Sequence, residues 1–173
     1  MAERKQMADV VVRPAREDEW EGAGAITVAA YRADEHIDSH TGGYADALMN
    51  AAARARAAEL LVAVDVEDNL LGTVTVVRPG TPFAEVSREG ELEFRMLAVS
   101  PEARGRGVGE ALVRAVIARA REVGVRRLVM SSSEHMVTAH RLYQRLGFQR
   151  FPERDWQPVP DVPITAYGFS LDL

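Results

Sequence analysis

Arg104-Gly105-Arg106-Gly107-Val108-Gly109 lies between an apolar run, Phe94 to Val99, and a strongly helical segment. Glycines there let the backbone turn tightly and approach a ligand without a Cβ in the way. The unpaired N–H groups of the first helical turn point outward, and with the helix dipole behind them they favour an anion. Arg104 and Arg106 add fixed positive charge, and a guanidinium fork suits phosphate oxygens better than an ammonium does. The chain therefore has to supply a strand, a phosphate-binding turn and a helix in that order.

Two common phosphate loops do not fit. A Walker A loop needs Lys-Ser or Lys-Thr after its last glycine, and Gly109 is followed by Glu110 and Ala111. In the dinucleotide fingerprint, Gly105 and Gly107 would be the first two glycines and the third would fall on Glu110. No acidic residue ends a following strand about 20 residues on, and the loop lies beyond the chain's midpoint, whereas a dinucleotide loop follows the first strand of its domain.

A second motif follows. Ala139-His140-Arg141-Leu142-Tyr143-Gln144-Arg145-Leu146-Gly147-Phe148 combines an amphipathic turn of helix with a closing glycine. The first loop, within Leu97 to Leu112, resembles the R/Q-x-x-G-x-G/A signature of the GNAT superfamily of N-acetyltransferases. The second is similar to that family's A-x-x-L-Y-x-x-x-G-F helix and turn. Two motifs in the right order are far more specific than one glycine loop.

The residue patterns give a matching order of elements. Strands are predicted at Val10 to Val12, Leu60 to Val66, Gly72 to Arg78, Glu91 to Val99, Arg127 to Ser131, from Phe148 to Phe151 and at Ile164 to Leu171. Helices are predicted at Glu17 to Arg32, Tyr44 to Glu59, Val108 to Val123 and Thr138 to Leu146. Gly22 and Gly24 weaken the first of these, and Gly124 closes the third. This is a mixed α/β (α+β) sheet. The resemblance implies six or seven mostly antiparallel strands with a splayed central parallel pair, flanked by about four helices. Residues 1–9 are expected to form a disordered tail and 10–173 a single domain.

Composition narrows the class. The 173 residues are 47% hydrophobic and 27% charged, as in an ordinary globular protein. No apolar run approaches the roughly 20 residues of a membrane span, and the first residues lack the apolar core of a signal peptide, so the expected location is cytoplasmic, away from membranes. Zero cysteines exclude disulfides, thiolate metal sites and an acyl-cysteine mechanism. A net charge of −5 argues against nucleic-acid partners. It conceals a basic stretch from Arg104 to Arg127 and an acidic one from Glu17 to Asp38, either solvated helix faces or a division between an anionic cofactor and a cationic substrate.

By resemblance, acetyl-CoA is the co-substrate and an amine of a small molecule or a protein is the acceptor. A homodimer is among the expected partners. The resemblance places the pyrophosphate on Arg104, Gly105, Arg106, Gly107, Val108, Gly109 and the amide of Glu110. It places the pantetheine arm and the thioester carbonyl on the backbone of Leu97, Ala98 and Val99, and a further cofactor contact at Ala139. Tyr143 stands where the family carries its general acid, and a phenol of pKa about 10 is protonated at neutral pH. Core packing is the competing reading for that ring.

Glu93 is the candidate base, since an amine of pKa about 10 must lose a proton before it attacks. Strand alternation puts Glu91, Glu93 and Arg95 on one face, where a solvated face or an ion pair with Arg95 is the alternative. Met136 departs from the family, which often carries asparagine there; His135, His140 or Ser131, Ser132 and Ser133 are candidates to compensate. His36 and His40 are four apart with Asp38 between, yet Ser39, Thr41, Gly42 and Gly43 favour a loop, so no metal is expected. His36, Asp38, His40, Tyr44 and Trp156 are instead acceptor-side candidates, with a loop-anchoring tryptophan as the alternative for the last. A non-catalytic acyl-CoA-binding module, O-acetyl transfer and a longer acyl chain are the other functions the sequence allows.

Overall fold

The computed structural model describes residues 9–34 and 42–173. Most of the expected N-terminal tail, together with His36, Asp38 and His40, lies outside them. The elements are β1 (Val11–Pro14), α1 (Trp20–Ala33), α2 (Gly42–Met49), α3 (Ala51–Ala57), β2 (Glu59–Val64), β3 (Leu70–Val77), β4 (Glu91–Val99), α4 (Val108–Val123), β5 (Arg127–Ser133), α5 (Val137–Arg145), β6 (Gln149–Arg150) and β7 (Ala166–Asp172). The strands hydrogen-bond in the order β1-β2-β3-β4-β5-β7-β6. β4 and β5 are parallel, while β1–β2, β2–β3, β5–β7 and β6–β7 are antiparallel. The mixed sheet with one parallel pair is the architecture the sequence implied.

One helix differs from expectation. The alanine-rich stretch from Tyr44 to Glu59 is two helices, because Asn50 leaves helical geometry at φ −81°, ψ 65° and its side chain caps α3 by accepting from Ala53 N at 3.2 Å. Asparagine is a strong N-cap residue, and here that local bond overrides the helical propensity of its neighbours. Glu59 belongs to β2 instead.

The chain divides into two compact units, residues 1–76 with 96–116 and residues 77–95 with 117–173. In the first, Ala23 and Ala51 from the helices pack on Leu60, Val62 and Val64 of β2, with Trp20, Ala55 and Leu70 around them. Small residues set the spacing. A Cβ on Gly24 would lie 2.1 Å from Met49 O, so α1 and α2 meet backbone to backbone only because Gly24 has no side chain. Gly24→Ala is therefore expected to lose about 1–3 kcal/mol of stability to overpacking, although alanine gains about 1 kcal/mol in helix propensity. A urea titration of both proteins measures the difference; an unchanged or raised midpoint would show that the crossing relaxes.

Gly72 of β3 plays the same part for α4. A Cβ there would meet Ala98 O at 2.7 Å and Val108 Cγ1 at 2.9 Å. β3, β4 and the start of α4 are thus drawn together around the glycine loop. In the second unit, β5 pairs with β7 from Arg127↔Asp172 to Ser133↔Ala166. Leu128, Met130, Tyr143, Phe148 and Phe169 form its buried interior.

Candidate active site

The loop from Arg104 to Gly109 joins the 3-10 turn Pro101–Ala103 to α4 in the first unit. Gly105 and Gly107 have φ of 80° and 75°, a left-handed conformation that side-chain-bearing residues rarely adopt. A Cβ on Gly105 would meet nothing within 4 Å, so backbone conformation and not space requires glycine there. Ala111 N donates to Gly107 O at 3.0 Å and closes the first turn of α4. The preceding amides are the ones a helix leaves for an anion.

Both loop arginines have acidic neighbours in the same unit. Arg104 forks onto Asp34 at the end of α1, with Nη1 and Nη2 donating at 2.7 and 2.9 Å. Both side chains are about half-exposed, and such a pair is worth at most about 1 kcal/mol, so an arriving phosphate can compete for it. Asp65 is held below its ordinary range chiefly by the Asn69 amides, with the charge of Arg106 adding to the effect. Two arginines, two left-handed glycines and a helix N-terminus form a donor set that fits a pyrophosphate.

β4 precedes this loop. Its parallel register with β5 runs from Glu91↔Arg127 to Glu93↔Val129, whereas β4 itself continues to Val99. Among the described residues, therefore, the pairing covers only the start of the strand. Met96 has φ 54°, which breaks the strand's alternation just before Leu97, Ala98 and Val99. Ala98 is buried and its two neighbours are partly buried.

Glu93 has no exposed surface. Its carboxylate accepts from the amides of Glu85 and Ser87 at 3.1 and 3.0 Å, from Val86 N at 3.2 Å and from Ser87 Oγ at 2.7 Å. The Glu93 side chain thereby gathers the preceding loop around itself. The ion pairs expected on this face are arranged differently. Arg95 Nε meets Glu85 Oε1 at 2.5 Å, and Glu91 is taken by Arg154 at 2.8 and 3.1 Å, with Arg127 at 3.6 Å. The partners come from a loop, a later turn and the first residue of β5, which alternation within β4 alone could not reveal.

Glu85 had no signal in the sequence. Its side chain is 23% exposed. Burial, with the charge of Glu93 behind it, outweighs the attraction of Arg95 and pushes its carboxyl up to about 7.

Tyr143 is 3% exposed, with its ring 5.8 Å from those of Phe94 and Phe169 and 5.9 Å from that of Phe148. Burial raises the phenol above its ordinary value, so it carries its proton throughout the neutral range. Successive strand residues point to opposite faces, so Phe94, and with it Tyr143, lies across β4 from Glu93. The two candidates for proton transfer are thus brought to one strand but on opposite sides.

Around Met136, which precedes α5, Ser132 Oγ lies 3.5 Å from the thioether sulfur and 3.1 Å from His140 Nε2. Burial first, and Arg150 after it, hold the His140 ring below its ordinary value. Of the residues suggested to compensate for the missing asparagine, Ser132 and His140 are the two that meet there. Ala139 is half-buried on the same helix. Trp156 donates from Nε1 to Ser131 Oγ at 3.1 Å and forms a bridge with Ala166, which ties its loop to β7. Tyr44 is exposed at the start of α2, its ring 6.2 Å from that of Tyr31. No helix among the described residues is long and apolar enough to cross a membrane.

Comparison with known proteins identifies the family and the fold. The sequence model of the Acetyltransferase (GNAT) family matches residues 25–148. The chain is 37% identical to human N-acetyltransferase 8B over 108 residues, covering 61% of this chain and 46% of that protein. It is 39% identical over 99 residues to mycothiol acetyltransferase of Salinispora arenicola, covering 55% of this chain and 30% of that one. The chain thus spans less than half of either relative. Among solved structures, a GNAT-family acetyltransferase from Staphylococcus aureus Mu50 superimposes with a TM-score of 0.71 at 15% identity, over 95% of this chain and 99% of the other.

Proposed function

We propose, on the premise that this chain belongs to the acetyltransferase (GNAT) family, that it transfers an acetyl group from acetyl-CoA to a primary amine by direct attack. The observation that carries the reading is the Arg104 to Gly109 loop, with Gly105 and Gly107 in left-handed geometry at the N-terminus of α4. When bound, the coenzyme supplies an acyl carbonyl activated as a thioester. The residues of the chain have to hold it, polarise it and manage two protons.

Holding falls to the loop. Arg104 and Arg106 neutralise the pyrophosphate, and the free amides of Val108, Gly109 and Glu110 donate to its oxygens. Polarisation falls to backbone N–H groups of Leu97 to Val99, beyond Met96, whose φ of 54° interrupts the strand's alternation. A donor aimed at a developing oxyanion lowers a barrier by about 3 kcal/mol.

Proton management divides across β4. The amine loses its proton on the face where Glu93 organises the loop. The departing thiolate, with a pKa near that of a cysteine at about 8.5, gains one from the Tyr143 face. The raised pKa of Tyr143 keeps the phenol as a donor at every working pH, and its rigid aromatic packing fixes where the donor can point.

Thiol release from acetyl-CoA across a panel of amines tests the activity. Tyr143→Phe keeps the ring's volume and is expected to cost less than about 1.5 kcal/mol in stability. Its kcat should fall by about 100-fold or more while CoA affinity holds, because a general acid contributes about 10² to 10⁴. An unchanged kcat in that variant would return Tyr143 to a packing role.

A further inference from the structure

We infer that Glu85 is the carboxylate that takes the proton from the acceptor amine, with Glu93 as the positioning residue that holds it in place. This rests on the acyl-transfer reading above. Three carboxylates gather where β4 begins, and two of them are buried and hydrogen-bonded. Glu91 is buried against Arg154 and also accepts from Arg88 N at 2.8 Å. Glu93 accepts from three amides and a hydroxyl, all closest to Oε1, with the Glu85 and Val86 amides shared onto Oε2 at 3.2 and 3.4 Å. With no exposed surface, Glu93 gives an acceptor amine no direct approach.

Glu85 differs in each respect. Its side chain is 23% exposed, unlike those of Glu91 and Glu93, and Arg95 touches one of its oxygens. Among the described residues, the other oxygen accepts no hydrogen bond. Its own backbone N–H is bound to Glu93, so the buried carboxylate determines where the accessible one stands. Arg95 Nη1 also donates to Phe83 O at 3.1 Å, which fixes the same loop from its other side. The charged groups that face Glu85 are Arg95 and Glu93, both on β4.

The proton-accepting strength suits the task. Removal from water, aided by Glu93, sets the Glu85 carboxyl near 7, where a general base at neutral pH is most effective. The step is a simple transfer. An ammonium gives H⁺ to the Glu85 carboxylate, leaving a neutral amine with a free electron pair and a carboxylic acid. The amine forms the new C–N bond as the C–S bond breaks, the second proton of the nitrogen is lost as the thiolate gains one from the Tyr143 side, and the Glu85 proton passes to water. One proton leaves per acetyl group transferred to an acceptor that arrives as an ammonium.

The test uses the full chain, acetyl-CoA and the best amine found in the panel, with kcat/KM followed from pH 5.5 to 9. The unaltered protein should show an acid limb that falls below about pH 7. Glu85→Gln should remove that limb and lower kcat/KM by about 100-fold or more, with CoA affinity by calorimetry within twofold and the melting temperature retained. Glu85→Asp should restore the limb at a reduced rate. Glu93→Gln removes a negative neighbour, so the limb should move to lower pH and persist. An unaltered limb in active Glu85→Gln overturns the assignment while leaving acetyl transfer standing. No transfer to any amine by the unaltered protein overturns both.

Discussion

Gly107→Glu is expected to abolish CoA binding, with affinity falling by more than about 100-fold in a calorimetric titration while the fold is kept. Two effects act together. Gly107 has φ 75°, which costs an L-residue about 1–2 kcal/mol. The new carboxylate would also stand at the point where α4 concentrates positive potential for a phosphate. A negative side chain at a helix N-terminus stabilises the helix itself. The variant should therefore fold with its anion site occupied by its own charge.

A smaller change separates the two effects. Gly105→Ala adds a methyl group to open space, so only the strain of φ 80° remains and a modest loss of affinity is expected. Arg104 gives a further contrast, because its present partner, Asp34, is an exposed carboxylate that a pyrophosphate can replace. Normal CoA affinity in Gly107→Glu would remove the loop from the site.

Why this loop could be read in advance, and the face of β4 could not, is a matter of distance along the chain. α4 declares itself by Val108, Leu112, Val116 and Ala120 at helical spacing, all buried, and by Gly124 at φ 82° just past its end. Its glycine turn is contiguous with it. Asn50 was harder, since one capping bond to Ala53 divides a segment whose average propensity is helical throughout. Gly24 looked like a flaw in α1, and its purpose appears only when Met49 is brought against it.

The carboxylates of β4 were legible as residues but not as chemistry. Alternation placed Glu91, Glu93 and Arg95 correctly on one face, yet their partners are nonlocal. Glu93 collects a loop rich in prolines and without periodicity, and Glu91 finds an arginine 63 positions away. That loop also conceals Glu85. Tyr143 was legible through its motif, while its aromatic surroundings follow from Phe94, Phe148 and Phe169 converging from separate strands and turns.

Arg154→Met should be among the most destabilising single changes in the second unit, at about 3–5 kcal/mol near pH 7. Arg154 is buried in the turn Pro152–Arg154, donating to both oxygens of Glu91 and to Val86 O at 2.6 Å. Gly168 of β7 makes room for it, since a Cβ there would meet Phe151 O at 2.5 Å and Arg154 Cβ at 2.9 Å. Methionine fills a similar volume but leaves a desolvated carboxylate. For a chain of this length the loss corresponds to a drop of roughly 10 °C in melting temperature.

The pH dependence identifies the cause. Burial alone would raise the Glu91 carboxyl, but the bonds from Arg154 and the Arg88 amide outweigh it and hold it below its ordinary value. Glu91 then contributes stability that is present above the carboxylate's unfolded pKa and is lost as pH falls through the lower folded value. In Arg154→Met the desolvation is opposed only by the Arg88 amide at 2.8 Å, by Arg127 at 3.6 Å and by the charge of Arg126, so the folded pKa rises and the stability held by the charged form is lost. Its stability deficit should therefore be largest above pH 7 and shrink as pH falls toward 4, where the variant's carboxyl takes up a proton. Replacing both partners, as Glu91→Leu with Arg154→Met, removes the orphaned charge and should recover most of the loss. A deficit that is the same at pH 4 and pH 8, or one that the second substitution deepens, would mean that packing of the Arg154 stem on Phe151, and not its charge, holds this turn in place.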